Sequence, residues 1–260
     1  MRILLCGIGG RMGGRIASFA VEEGHEVIGV ERGDHPLSIK GETEIGGKKI
    51  KVYGFPPFPE ILADVAIEFT TRSASLALLP HFVERKIPLV VGTTGFSEED
   101  MEVFRSASQK IPILLSPNMS RGVNTLFFLV EKIANLLPSA EVEIFEAHHR
   151  YKKDAPSGTA LKLGEIIAKA RGKNLKDIAR FSREGITGER KEDEIGFQVL
   201  RGGDIVGEHT VFFILDGERL EITHRALSRD CFAKGAIEAA KWIVKRKRGF
   251  YSMRDIFSCL

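Results

Sequence analysis

The chain has 260 residues, 43% hydrophobic and 28% charged, with a formal net charge of +3 at pH 7. That length suits one large or two medium domains, and so mild a charge gives no reason to invoke a nucleic-acid partner. The apolar runs fall far short of the roughly 18 residues a membrane helix needs, and glycine and arginine break the first one too soon for a secretory leader. A cytoplasmic protein with no membrane partner is the expectation. Cys6, Cys231 and Cys259 are too widely spaced for a disulfide framework or a metal set, so no metal site is expected.

Arg2–Cys6 reads as a short buried strand running into Gly7-Ile-Gly-Gly-Arg-Met-Gly13. An amphipathic segment with Ile16, Phe19, Ala20 and Val21 follows. Strand, glycine turn and helix are the context of a dinucleotide-binding fingerprint. The spacing is G-x-x-G-x-x-G, because Met12 holds the usual third glycine position. Glycines allow a tight turn and close approach of a pyrophosphate at the helix N-terminus. Gly7, Ile8, Gly9, Gly10, Arg11 and Met12 are therefore candidate cofactor contacts, with an ordinary tight turn as the alternative. A second strand, 26–31, ends at Glu31-Arg32, about 20 positions on, where an acidic side chain holds the ribose hydroxyls.

Residues 32–60, rich in Gly, Pro and Lys, read as a loop with one short strand near Lys49–Val52. Strands at 65–69, 88–92 and 112–115 then alternate with helical segments, which lie at 11–23, 73–85, 97–109 and 121–136. Such alternation predicts a parallel sheet covered on both faces. Open sheets of this kind bind ligands at the carboxyl ends of their strands. Phe69-Thr70, Gly92-Thr93-Thr94 and Ser116-Pro117-Asn118-Met119 stand at such ends. For the threonine pair, a cap on the helix beginning Ser97-Glu-Glu-Asp100 is the alternative.

After residue 137 the pattern changes. Strand-like runs at 141–148, 195–201, 205–215 and 219–226 surround one helix at 157–171, which predicts an open mixed sheet, antiparallel in large part. Residues 172–194 are polar and read as a mobile excursion. A final helix, about 229–247, carries Phe232, Ala236, Ile237, Ala240 and Ile243 on one face. Its end, Lys245–Arg248, complements a helix macrodipole more readily than it makes a nucleic-acid patch.

The densest chemistry lies in Glu146-Ala-His-His-Arg-Tyr-Lys-Lys-Asp-Ala-Pro-Ser-Gly-Thr159, between a strand and a helix. Pro156 to Thr159 form a helix start whose cap residue is ambiguous, and free N–H groups at such a start bind anions. With the basic side chains beside it, this suggests a site for a small anionic substrate; a solvated basic loop is the alternative. Adjacent His148 and His149 face opposite sides of a regular strand, so both reach one ligand only if the strand ends or bends there. Arg150 reads best as the partner of a carboxylate on the strand.

Together these segments resemble the dihydrodipicolinate reductase (4-hydroxy-tetrahydrodipicolinate reductase) family over nearly the whole chain. The His-His-Arg-x-Lys-x-Asp-Ala-Pro-Ser-Gly-Thr block carries most of the likeness, with Gly9–Gly13, Gly92–Gly95, Asn118, Ser120, Gly122–Asn124, Arg183–Gly185 and Gly203–Thr210. Met119, Tyr151 and Glu68 depart from the residues usual there. The resemblance implies an α/β fold, a Rossmann-like doubly wound parallel sheet plus a second α+β domain with an open mixed sheet. It implies a discontinuous dinucleotide-binding domain at 1–119 and 228–260, and a substrate-binding and oligomerisation domain at 120–227, assembled as a homotetramer. The implied reaction is NADH- or NADPH-dependent reduction of a small cyclic dicarboxylate in lysine and diaminopimelate biosynthesis. His148 becomes the general acid and Lys152 a second proton donor or electrostatic partner. His149, Gly158, Thr159 and Thr94 become substrate contacts. Gly92, Thr93, Thr94, Ser116, Pro117, Asn118 and Met119 line the nicotinamide side, with Glu31 and Arg32 at the ribose. A semialdehyde dehydrogenase explains the glycine turn but not the histidine block, and a nicotinamide sensor has no use for His148 and Lys152.

Overall fold

The fold follows from an unbroken apolar strand and an alternating one. In the computed structural model, which describes residues 1–56, 60 and 62–257, the elements run in this order. First come β1 (Arg2–Cys6), α1 (Arg11–Glu22), β2 (Glu26–Arg32), α2 (Pro36–Lys40), β3 (Glu42–Ile45), β4 (Lys48–Phe55) and β5 (Val65–Glu68). Next are α3 (Arg72–Glu84), β6 (Leu89–Val91), α4 (Glu98–Ser108), β7 (Pro112–Leu115), α5 (Arg121–Leu136) and β8 (Glu141–His148). Then follow α6 (Gly158–Ala170), α7 (Leu175–Ile178), β9 (Ala179–Arg180), β10 (Ile195–Arg201), β11 (Gly207–Leu215) and β12 (Glu218–Ala226). The last are α8 (Asp230–Ile243), β13 (Gly249–Tyr251) and α9 (Met253–Phe257). The chain divides into two compact units, Met1–Arg121 with Asp230–Leu260, and Gly122–Arg229.

In the first unit the sheet order is β13-β7-β6-β5-β1-β2-β4-β3. All its pairings are parallel except β3 with β4. Ile3 to Cys6 are wholly buried, because both faces are covered. Ile3 and Leu5 pack with Ile16 and Ala20 of α1 and Ala236 and Ala240 of α8. Leu4 and Cys6 pack with Phe82 of α3 and Phe104 of α4. A strand buried on both sides reads as a continuous apolar run, which is why 2–6 is legible. Strand order reverses at β1, with β2 on one side and β5 on the other, so their carboxyl ends form the crevice where such sheets bind ligands.

Two segments differ from the sequence reading. The expected loop at 32–60 holds α2 and a β3–β4 hairpin; its residues 57–59 lie outside the described residues, as does Cys259. Ile45 pairs with Lys48 across Gly46-Gly47, both at positive φ, the residue type a two-residue hairpin turn demands. The final helix stops at Ile243, so Lys245–Arg248 lie in the connection to β13 rather than in a last helical turn. The Arg246 guanidinium stacks 4.2 Å from the Trp242 ring.

The second unit has sheet order β12-β11-β8-β10-β9. Here β11 is antiparallel to both β8 and β12, and β10 is parallel to both β8 and β9, so the sheet is mixed and antiparallel in large part, as expected. One face is covered by α5 and α6, whose Leu126, Val130, Leu163 and Ile167 pack on Val142, Ile144, Val211 and Phe213. Residues 172–194, expected to be mobile, contain α7 and β9. They are held by Arg183, which bonds Glu143 at 2.7 and 3.0 Å, and by Arg190, which donates to the Val142 carbonyl at 3.1 Å. No helix among the described residues is long and apolar enough to cross a membrane.

Candidate functional site

In the first unit the glycine turn is shaped by contact. Gly7 has φ +83°, and a Cβ there would lie 2.2 Å from the Phe69 carbonyl oxygen. A Cβ on Gly13 would lie 2.0 Å from the Gly7 carbonyl oxygen, so α1 packs directly on the turn. Helix α1 starts at Gly10 with no side-chain cap, leaving the Arg11 and Met12 N–H groups without an acceptor among the described residues. That is an anion site at a helix N-terminus. Gly9, Gly10 and Arg11 are exposed, Met12 half-buried and Ile8 buried in the core. Glu31 stands beside them and its Oε2 accepts the Gly9 N–H at 3.0 Å. Arg32 is exposed, 3.5 Å from Asp34. A cavity of about 350 Å³ lies here, lined by Gly7, Gly9, Glu31, Arg32, His35 and Thr70 among others. The uncapped turn, the acidic side chain and this cavity fit a dinucleotide.

Behind the turn lies a polar cluster the sequence reading missed. Glu68, wholly buried at the end of β5, accepts hydrogen bonds from Ser75 Oγ at 2.8 Å, Thr93 Oγ1 at 2.7 Å and the Thr70 N–H at 2.8 Å. The Thr70 hydroxyl donates to it as well. Burial pushes the Glu68 pKa up against the opposing pull of these donors. The Thr93 side chain is thereby committed to internal bonding, whereas Thr94 is exposed. The threonines do not cap α4; Ser97 does, in a reciprocal box with Asp100. Ser116 is buried and donates to the Asn118 carbonyl at 2.9 Å, and Asn118 Oδ1 accepts the Ser120 N–H at 2.9 Å. Pro117 is exposed, and Met119 is a core side chain. Burial, then Glu68 and Glu31, push the Cys6 thiol well up, which leaves it unreactive and part of the packing.

In the second unit β8 ends at His148, so the strand stops where the two histidines meet, which is the condition for both to reach one ligand. Glu146, 1% exposed, is the centre of the arrangement. Its Oε2 lies 2.5 Å from His148 Nδ1 and accepts Arg201 Nη1 at 2.8 Å. Its Oε1 accepts Arg201 Nη2 at 2.7 Å and the Ser157 N–H at 3.0 Å. Burial alone would raise the Glu146 pKa, but the bonds from His148 and Arg201 overcome it and hold the carboxyl at about 2. Arg201 therefore takes the role expected of Arg150, which is exposed and forms no ion pair among the described residues. Sequence reasoning missed Arg201 because register, not proximity in the chain, sets it opposite His148.

Ser157 resolves the helix start: it is the N-cap of α6, and its Oγ accepts the Ala160 N–H at 3.2 Å. The same oxygen lies 2.9 Å from Nε2 of buried His209, which is held neutral with its pKa lowered to about 3, first by burial and then by His148. Gly158 is exposed with its N–H unpartnered among the described residues, and Thr159 is half-buried beside it. Lys152 Nζ donates to both Asp154 carboxylate oxygens, at 2.9 and 2.8 Å. His149 Nδ1 is buried without a hydrogen bond.

Comparison with known proteins agrees with this layout. The family model for the N-terminus of dihydrodipicolinate reductase matches residues 1–119, and that for its C-terminus matches 122–257. The chain belongs to the dihydrodipicolinate reductase family. It is 47% identical over 262 residues to a 4-hydroxy-tetrahydrodipicolinate reductase of Syntrophus aciditrophicus (strain SB), covering 98% of each chain. Identity is 46% over 264 residues to that of Geotalea uraniireducens (strain Rf4), again covering 98% of each. Among solved structures, dipicolinate-bound dihydrodipicolinate reductase from Paenisporosarcina sp. TG-14 shares the fold, with TM-score 0.79 at 22% identity over 98% of this chain and 99% of that one. Aspartate semialdehyde dehydrogenase II of Vibrio cholerae is more distant, at TM-score 0.57 and 12% identity over 94% of this chain and 98% of that one.

Proposed function

We propose that this member of the family is an NAD(P)H-dependent oxidoreductase that reduces 4-hydroxy-tetrahydrodipicolinate in lysine and diaminopimelate biosynthesis. The observation that carries the reading is the histidine held by a buried carboxylate, His148 on Glu146, beside a helix start with an open N–H at Gly158. The first unit, 1–121 with 230–260, is the dinucleotide-binding part, and the second, 122–229, binds substrate. When bound, the reduced nicotinamide supplies hydride to the conjugated imine. The α1 N-terminus, Gly7 to Met12, holds the pyrophosphate, and Glu31 and Arg32 meet the adenosine ribose. Thr94 and the Gly92–Thr93 and Ser116–Met119 segments line the nicotinamide side.

In the second unit, Gly158, Thr159 and His149 receive the substrate carboxylates. Lys152, countered by Asp154 in the free protein, is competed for by a substrate carboxylate and steadies the negative charge that develops as hydride arrives. His148 supplies the proton. Both NADH and NADPH serve as cofactor. The protein works as a homotetramer through the second-unit sheet, whose face opposite α5 and α6 carries Phe145, Leu200, Phe212 and Ile214.

The test is loss of NAD(P)H absorbance with freshly generated substrate. Substrate-dependent oxidation supports the reading. Nucleotide binding without turnover would mark a sensor, and turnover of aspartate semialdehyde instead would mark the dehydrogenase alternative.

A further inference from the structure

We propose that Glu146 is a positioning residue. It fixes the His148 ring so that Nε2 alone carries the transferable proton, and it ties that ring to the start of α6 through one shared carboxylate. The inference rests on the reading of His148 as the proton donor.

The geometry assigns each ring nitrogen a task. Glu146 stays ionised, so the 2.5 Å contact requires a proton on Nδ1 in both charge states of the ring. The proton that comes and goes is then the one on Nε2, which carries no hydrogen bond among the described residues and is not an enclosed atom. Gly207 of β11 keeps that nitrogen clear: a Cβ there would lie 3.0 Å from Nε2. Arg201 grips both oxygens of the carboxylate and also donates to the Asp154 carbonyl at 2.7 Å, so the Glu146 side chain cannot swing away from the ring. The remaining bond, from the Ser157 N–H, fixes the N-cap of α6 to the same group. Donor nitrogen and anion-binding helix start thus share one rigid reference.

The charged and titratable neighbours of His148 are few. Glu146 faces it from its own strand, and His209 from β11 with ring centroids 5.2 Å apart. Arg201 of β10 acts through the shared carboxylate, with Lys152 and Asp154 in the following loop. His209 is neutral in the working range, so Glu146 is the charged group in direct contact with the His148 ring.

Two measurements decide it. In the wild-type protein, ¹⁵N NMR of labelled histidines should show neutral His148 protonated on Nδ1. In Glu146→Gln, kcat should fall by at least about tenfold, as when an orienting carboxylate is lost. In that variant the ¹⁵N pattern of His148 should lose its fixed Nδ1–H form, because an amide offers a donor as well as an acceptor. Nicotinamide affinity should stay unchanged. An Nε2–H tautomer in the wild-type protein, or a Glu146→Gln enzyme with unaltered kcat and an unaltered His148 spectrum, would overturn the proposal; if that variant folds poorly, the wild-type spectrum decides alone. Undiminished turnover in His148→Ala would instead defeat the functional reading on which it rests.

Discussion

At the residue scale, the proposed function assigns cofactor choice to two side chains. Glu31, with its Oε2 already on the Gly9 N–H, accepts from ribose hydroxyls and repels a 2′-phosphate. Arg32 is exposed, shares its charge only with exposed Asp34, and pairs with that phosphate. Exposed charge effects of about 1 kcal/mol shift affinity only several-fold, so the two roughly offset. Arg32→Ala should weaken NADPH more than NADH, and Glu31→Ala should do the reverse, as read from KM values. A wild-type preference beyond about a hundredfold, roughly 2.7 kcal/mol, would show that other residues govern the choice. Glu31 and Arg32 were legible because they follow an apolar strand at the right distance from a glycine turn. Glu68 and Arg201 were not, because a buried carboxylate and its partners are brought together by sheet register.

At the element scale, the start of α6 is the most informative test. Ser157→Ala removes the N-cap, which costs about 0.5–2 kcal/mol, and leaves buried His209 without its partner, about 1–3 kcal/mol more. Denaturant unfolding should show that loss. Thr159→Val should weaken competitive inhibition by pyridine-2,6-dicarboxylate, a planar dicarboxylate. Inhibition unaffected by Thr159→Val, His149→Ala and Lys152→Ala alike would mean the anion site lies elsewhere. The helix start was legible from Pro-Ser-Gly-Thr, although its cap emerged only with the Ala160 contact. Of the β3–β4 hairpin, β4 was legible from Ile50 and Val52, but β3 was missed despite the Gly-Gly turn, because a short polar strand lacks an apolar alternation. The early stop of α8 was missed because Lys and Arg are good helix formers and nothing local marks Ile243 as the end.

At the scale of the whole molecule, His209 and Glu146 are among the buried groups that tie stability to pH. His209 has its pKa lowered to about 3, against about 6.5 unfolded. Its contribution is complete above about pH 6.5 and is lost as pH falls toward its folded value. Glu146 is held at about 2, against about 4.3 unfolded, so its contribution is present above that value and is lost as pH falls toward 2. Tm should therefore be flat near neutrality and decline in two stages below it, and His209→Gln should reduce the upper stage, to which His25 and His224, also lowered by burial, contribute. A Tm independent of pH between about 6.5 and 3 would contradict this account. The parallel sheet was legible as alternating apolar strands and helices, whereas the direction of β10 beside β8 was not, since pairing sense leaves no mark in composition. Size measurement in solution tests the tetramer, and a monomer would remove the role given to the open sheet face.

The most direct test of the central claim, that the second unit supplies the acid for hydride reduction, is steady-state turnover of His148→Ala and Lys152→Ala with nicotinamide binding measured alongside. Turnover should fall by roughly 10²–10⁴, the range for a positioned acid, with nucleotide affinity unchanged. Near-normal turnover in both variants would contradict it.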